Sequence, residues 1–219
     1  MKKIISLVLC LALGAFVLSG CSGSDEPFEK KNYTPDAQVS EINIDVEDRE
    51  IEVSLSADGQ VHIQYYENSK EYYDISVSGS TLTMTAASDK AWTDYIGVKP
   101  SAENRKISLQ VPDALLENLT LSTTNEDISL PALAVTGSIS ISSNGGDITF
   151  GRLDVGSALN LTVKNGNISG TVLGSYDDFA IQSDVKKGDS SLPESKDGGS
   201  KTLNVSANNG DVDIELVSE

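Results

Sequence analysis

The 219-residue chain is poor in the side chains that usually carry chemistry. It holds two cysteines, one histidine and one tryptophan, and aromatics make up only 5% of it. Both cysteines, Cys10 and Cys21, lie near the N-terminus. The rest of the chain therefore has neither a disulfide nor a free thiol and must be held together by its core. The single histidine, His62, has no cysteine, second histidine or close Ser/Asp set in sequence beside it, so no zinc site or nucleophilic triad is assembled. It alternates with Val61 and Ile63 and is expected to face solvent. Positive charge is also scarce. Sixteen Lys and Arg stand against 33 Asp and Glu, for a net charge of −17. Such a chain avoids nucleic acid and anionic headgroups, and attracts cations or basic peptides if it attracts ions at all. No uninterrupted apolar run reaches the ~20 residues that a membrane-spanning helix needs.

The first residues do carry an apolar run, a shorter one. Met1-Lys2-Lys3 is basic, Ile4 through Leu18 is almost wholly apolar, and the run ends in Leu18-Ser19-Gly20-Cys21. This has the form of a secretory signal peptide. The last four residues resemble the lipobox of bacterial lipoproteins. The resemblance implies that residues 1–20 are removed, that Cys21 is lipidated, and that the mature chain is held at the membrane by its acyl chains. Losing Lys2 and Lys3 would take the formal charge from −17 to −19. Residues 21–38 are polar, carry two prolines and show no apolar period, and are expected to form a flexible tether.

From residue 39 to 219 the strand signal dominates. Apolar residues alternate with polar ones in Ile42/Ile44/Val46, Ile51/Val53/Leu55, Val61/Ile63, Leu82/Met84 and Ile107/Leu109/Val111, the period of a strand with one buried face. Polar turns then recur. Asp127, Asp147, Asn167, Asp189 and Asp211 follow one another at intervals of 20, 20, 22 and 22 residues, each preceded and followed by a short apolar alternation. A unit of about 20 residues with two or three short strands cannot bury its apolar side alone, so stacking is required. The expected fold is all-β: a right-handed parallel β-helix, or β-solenoid, of about 20-residue rungs stacked in chain order, with an N-terminal strand-rich cap. An antiparallel sandwich also has frequent turns, but it gives no reason for their 20-residue identity.

The stretch "DDFAIQSDVKKGDSSLPESKDGGSKTLNVSANNGDVDIEL", together with "VHIQYYENSKEYYDISVSGSTLTM", "WTDYIGV" and "ISLQVPDALLENLTLS", resembles the bacterial "putative adhesin" family of β-strand-repeat proteins. The resemblance covers roughly residues 40–217. It implies a right-handed parallel β-helix on the cell envelope, and it implies no reaction, since that family has no assigned biochemical role.

The repeated Asn/Gly/Asp turns have two readings. Stacked in register they could form a calcium ladder, but such a site needs six to eight oxygens and one position is Asn167. These residue types also make tight corners at little cost, and corner formation is the favoured reading; no metal site and no cofactor are expected. The aromatics concentrate between 65 and 95. Tyr65, Tyr66, Tyr72, Tyr73, Trp92 and Tyr95 are candidate ligand contacts, or else cap the first rungs. Sequons begin at Asn32, Asn118, Asn160, Asn167 and Asn204; they are taken as outward polar positions. The Ser/Gly-rich segment 184–201 is expected to be a mobile excursion from the last corner. The sum is a non-enzymatic binding, adhesion or structural module outside the cytoplasm, anchored to a bacterial cell membrane or outer membrane through Cys21. It would meet a cell-wall component, an envelope protein or a host surface, and no nucleic acid. The alternatives are an envelope-stress sensing lipoprotein that captures cationic peptides and, least favoured, a polysaccharide-active enzyme.

Overall fold

The computed structural model describes residues 26–88 and 101–218. Their strands run in chain order as β1 (Glu29–Tyr33), β2 (Glu41–Asp45), β3 (Glu50–Leu55), β4 (His62–Glu67), β5 (Glu71–Ser78) and β6 (Thr81–Ser88), then β7 (Lys106–Val111), β8 (Asn118–Thr123), β9 (Ile128–Leu130), β10 (Leu133–Val135), β11 (Ser138–Ser143) and β12 (Ile148–Val155). The last six are β13 (Ala158–Asn165), β14 (Ile168–Leu173), β15 (Phe179–Val185), β16 (Ser195–Lys196), β17 (Lys201–Asn209) and β18 (Val212–Val217). Two 3₁₀ turns, Glu103–Arg105 and Tyr176–Asp178, are the only helical pieces among the described residues. No helix among those residues is long and apolar enough to cross a membrane.

The strands form two mixed sheets, and neither closes into a barrel. Sheet I runs β1-β4-β7-β3-β9-β12-β14-β18, with β10 also on β12; sheet II runs β16-β15-β17-β13-β11-β8-β2-β6-β5. The chain passes from sheet II to sheet I at each Asn/Gly/Asp turn. Successive passes pair in parallel at the repeat interval: Ile139 lies beside Leu119 and Leu159, and Ile148 beside Ile128 and Ile168.

This register stacks like on like. Leu82, Ile42, Leu119, Ile139, Leu159, Leu203 and Ile181 form one inward file across sheet II, each at most 2% exposed. Ile107, Ile51, Ile128, Ile148, Ile168 and Val212 form its counterpart in sheet I. Both files belong to one continuous core. Burying each such side chain contributes about 1.5–3 kcal/mol, which is how a chain without a disulfide there stays folded. A bulge in β12 between Thr149 and Arg152 shifts the register by one, so Leu153 is matched by Val172 rather than Leu173.

Three expectations need correction. Rungs do not stack in chain order at the ends: β2 and β3 lie between β6–β7 and β8–β9, and β17 lies between β13 and β15. The last long strand of sheet II is thus hydrogen-bonded on both sides, which shields it from fraying and from edge pairing. The expected tether ends early, because Glu29–Tyr33 pairs antiparallel with β4 from Glu29↔Glu67 to Tyr33↔Ile63. Its polar sequence hid it, since an edge strand need not bury alternate residues. Segment 184–201 is also no free excursion: Leu192 is buried, Ser190 bridges to Val212, and Ser195 and Lys196 pair with Gln182 and Ile181.

Candidate functional site

The corners were the first candidate, and their geometry is that of a scaffold. The backbone N–H of Asp147 donates to Asp127 Oδ1 (2.8 Å), that of Asn167 to Asp147 Oδ1 (2.7 Å), that of Asp211 to Asn167 Oδ1 (2.9 Å) and that of Asp189 to Asp211 Oδ1 (2.9 Å). Each side chain satisfies the N–H of the next corner in space. Asn167 serves as well as Asp because only the acceptor oxygen is used. The preceding asparagines stack too, Asn209 Nδ2 donating to Asn165 Oδ1 at 2.7 Å. The glycine between them is required by close approach: a Cβ on Gly166 would lie 2.2 Å from the Gly146 carbonyl oxygen, and one on Gly210 would lie 1.9 Å from that of Gly166. No group of three or more His, Cys, Asp or Glu among the described residues is placed to hold a metal ion.

The tyrosines divide by strand parity. Tyr65 is buried, and its ring meets that of Tyr73 edge-on at 5.3 Å. Tyr73 accepts a 2.6 Å hydrogen bond from Arg49 Nε, while Arg49 Nη2 pairs with Glu71 at 2.6 Å. Burial opposes the Arg49 charge, but Tyr73 and Glu71 outweigh it and hold the guanidinium above its ordinary pKa; burial pushes the Tyr73 hydroxyl up despite Arg49. These two tyrosines close the N-terminal end of the core. Tyr66 and Tyr72 remain half-exposed, with the Tyr66 hydroxyl 3.3 Å from Glu103 Oε1. Trp92, Tyr95 and Cys21 lie outside the described residues.

His62 points outward, as expected, but it is not unaccompanied. It is half-buried, with Nδ1 2.8 Å from Thr34 Oγ1 and Nε2 3.0 Å from both Asp58 oxygens. The hydrogen bond to His62 is the main reason the Asp58 carboxyl is held below its usual range. The contact straps the segment after β1 to the β3–β4 loop.

The largest regular surface is the outer face of sheet II. Thr83, Asn43, Thr120, Ser140, Asn160, Asn204 and Gln182 follow one another across it in register, at the ~4.8 Å spacing of paired strands. Asn204 Nδ2 donates to Asn160 Oδ1 at 2.8 Å and Asn160 Nδ2 donates to Ser140 Oγ at 3.1 Å, so the middle of this file is bonded side chain to side chain. On β8, β11, β13 and β17 the outward residues of the paired cores are Asn118/Thr120/Ser122, Ser138/Ser140/Ser142, Ala158/Asn160/Thr162 and Thr202/Asn204/Ser206, and none is charged. Charge returns at the corner end of β13, with Lys164, and at the flanks, with Glu41 and Asp45 on β2 and Asp184 on β15. Sheet I is different. Its outer face carries Glu50, Glu52, Lys106, Arg152, Asp213 and Glu215, with Lys106 paired to Glu52 at 2.6 Å.

A family model described as Toastrack DUF4097 matches residues 39–216. The chain belongs to the Toastrack DUF4097 family. No curated protein matches it in sequence. Among solved structures, a "putative cell adhesion protein" from Clostridium sporogenes ATCC 15579 superposes on this Toastrack chain with a TM-score of 0.55 at 11% identity, covering 87% of this chain and 100% of that one. At that identity the likeness is one of fold. A "putative adhesin" from Parabacteroides merdae ATCC 43184 aligns at 16% identity with a TM-score of 0.39, over 85% of this chain and 80% of that one.

The charge-poor face of the Toastrack domain was not singled out among the candidate sites expected from sequence. Its signal was present in "NLTLS", "SISIS", "ALNLT" and "TLNVS", where the inward residues alternate with hydroxyls, amides and one alanine but never with a charge.

Proposed function

We propose that the chain is a binding module of the bacterial cell envelope, displayed outside the cytoplasm on a lipid attached to Cys21, and that it makes contact through the outer face of sheet II. In this reading the domain is a right-handed parallel β-helix used as a rigid display surface, and it performs no catalysis. The supporting observation is the block of twelve uncharged outward positions on β8, β11, β13 and β17, bordered on β13 by Lys164 alone, in a chain with a net charge of −17. Random placement of charged residues would put several there. Charge on a contact surface is costly where water is excluded, and interface centres are accordingly depleted in it.

The anchoring half is tested by Cys21→Ser, which should move the protein from the membrane pellet to the soluble fraction and abolish labelling with a radioactive fatty acid. Unchanged labelling would refute it. The contact half is tested by retention of the full chain on washed envelope material. A bulky Thr162→Arg in sheet II should reduce retention and Thr149→Arg in sheet I should not; equal retention of both would remove the reason for choosing sheet II.

A further inference from the structure

We infer that the sheet II face is a subsite for an uncharged, hydroxyl-rich polymer, a neutral polysaccharide strand running across β8, β11, β13 and β17. The inference rests on the reading of that face as the contact surface and names its ligand class.

Three observations select this class. A polymer of phosphates or carboxylates would meet a single cation among the outward residues of those four strands, Lys164 at the corner end of β13, and the acids at the flanks would repel it. A protein partner usually requires aromatic or aliphatic anchors at the centre of the contact, and Ala158 is the only apolar side chain among these outward residues. What the face does present is hydrogen-bonding capacity of both kinds. An asparagine amide offers two N–H donors and an oxygen with two lone pairs. The bonds from Asn204 to Asn160 and from Asn160 to Ser140 use one donor of each amide and one lone pair of Asn160. They fix which way each amide points and leave donors and acceptors directed outward.

A sugar hydroxyl is itself both donor and acceptor, so it is satisfied by a surface that alternates the two. Because the amide file is already ordered by its own hydrogen bonds, little side-chain freedom is lost on binding. Without aromatic platforms each sugar is held weakly, and the register of the strands supplies strength by repetition along one polymer.

The test is affinity electrophoresis of the purified full chain in native gels containing a linear neutral β-glucan, a linear neutral α-glucan, or polygalacturonate as the anionic counterpart. The expected result is retardation by at least one neutral glucan and none by polygalacturonate. The combined variant Ser140→Ala, Asn160→Ala, Asn204→Ala should weaken retardation about tenfold or more, given the usual worth of a neutral hydrogen bond. The matching sheet I variant Thr149→Ala, Ser169→Ala, Asp213→Ala should leave it unchanged. If the triple sheet II variant loses its cooperative melt, Thr162→Arg replaces it as a steric block. Retardation by polygalacturonate alone, or by none of the three while envelope retention still depends on sheet II, overturns the ligand class and leaves the contact face standing. Envelope retention indifferent to every sheet II substitution overturns both.

Discussion

The two outer faces of this domain are made by the same passes of the same chain, yet they differ in kind. At each Asn/Gly/Asp corner the chain leaves a strand of sheet II for one of sheet I, with matching aliphatic files beneath them. Outward, sheet I is laced with ion pairs such as Lys106–Glu52, whereas the centre of sheet II holds only hydroxyls, amides and one alanine. The core cannot be the cause, because it asks only that alternate residues be apolar. An exposed strand position tolerates charge readily, and an acidic chain has charge to spare. In the proposed reading, that difference belongs to sheet II as the contact surface and to sheet I as the solubilising one.

The largest effect expected is one that abolishes the comparison by destroying the scaffold common to both faces. Gly210→Val would drive a side chain into the Gly166 carbonyl 1.9 Å away. It should cost about 3 kcal/mol or more in urea unfolding. Gly59→Ala, which has open space around its Cβ but a φ of +75°, should cost only about 1 kcal/mol. Similar losses for the two would mean that corner stacking is unimportant.

Next in size is a substitution that separates the faces. Thr120→Arg on sheet II should leave stability within about 0.5 kcal/mol and yet lower envelope retention about tenfold, the equivalent of roughly 1.4 kcal/mol. The same exchange at Thr149 on sheet I should alter neither. Below that comes the corner ladder. Asp147→Ala removes the acceptor of the Asn167 N–H and should cost about 1 kcal/mol, since water replaces part of the lost bond. Retention on envelope material should survive it.

The smallest effect concerns pH. The Ser175 backbone N–H, donating at 2.7 Å, is the main reason the Asp178 carboxyl is held below its usual range. A carboxylate whose folded pKa is depressed adds stability above its unfolded value of about 3.9, and that stability is lost as pH falls through the folded value. The melting-temperature advantage of the native chain over Asp178→Asn should therefore be fully present at about pH 6 and fade as the medium is acidified below about pH 4. An advantage that grows on acidification would contradict the assignment.

The inward half of this architecture was legible because alternation and turn chemistry are local. Ile139 and Ile141 announce a buried face, and the 20-residue return of Asp127, Asp147 and Asn167 announces stacking. Pairing partners are not local. Nothing near Glu41–Asp45 says that β6 rather than β4 will lie beside it, so the interleaved ends were missed, and β1 was missed because "EKKNY" reads as tether. The aromatic segment was half legible: neighbours on a strand face opposite ways, so Tyr65 had to be core if Tyr66 was not, but the partner that ties Tyr73 down is Arg49, 24 residues away. The sheet II surface was overlooked for a different reason. It consists of ordinary residues, and its distinction is the scarcity of charge across strands that only the fold brings together.

The most direct measurement is a side-chain footprint of the full chain by carbene labelling, with and without washed envelope material. The account predicts that Thr120, Ser140, Asn160, Thr162 and Asn204 lose labelling when the material is present, while Thr149, Arg152, Asp213 and Glu215 keep it. Protection on sheet I, or equal labelling of both faces with the protein demonstrably bound, would contradict it.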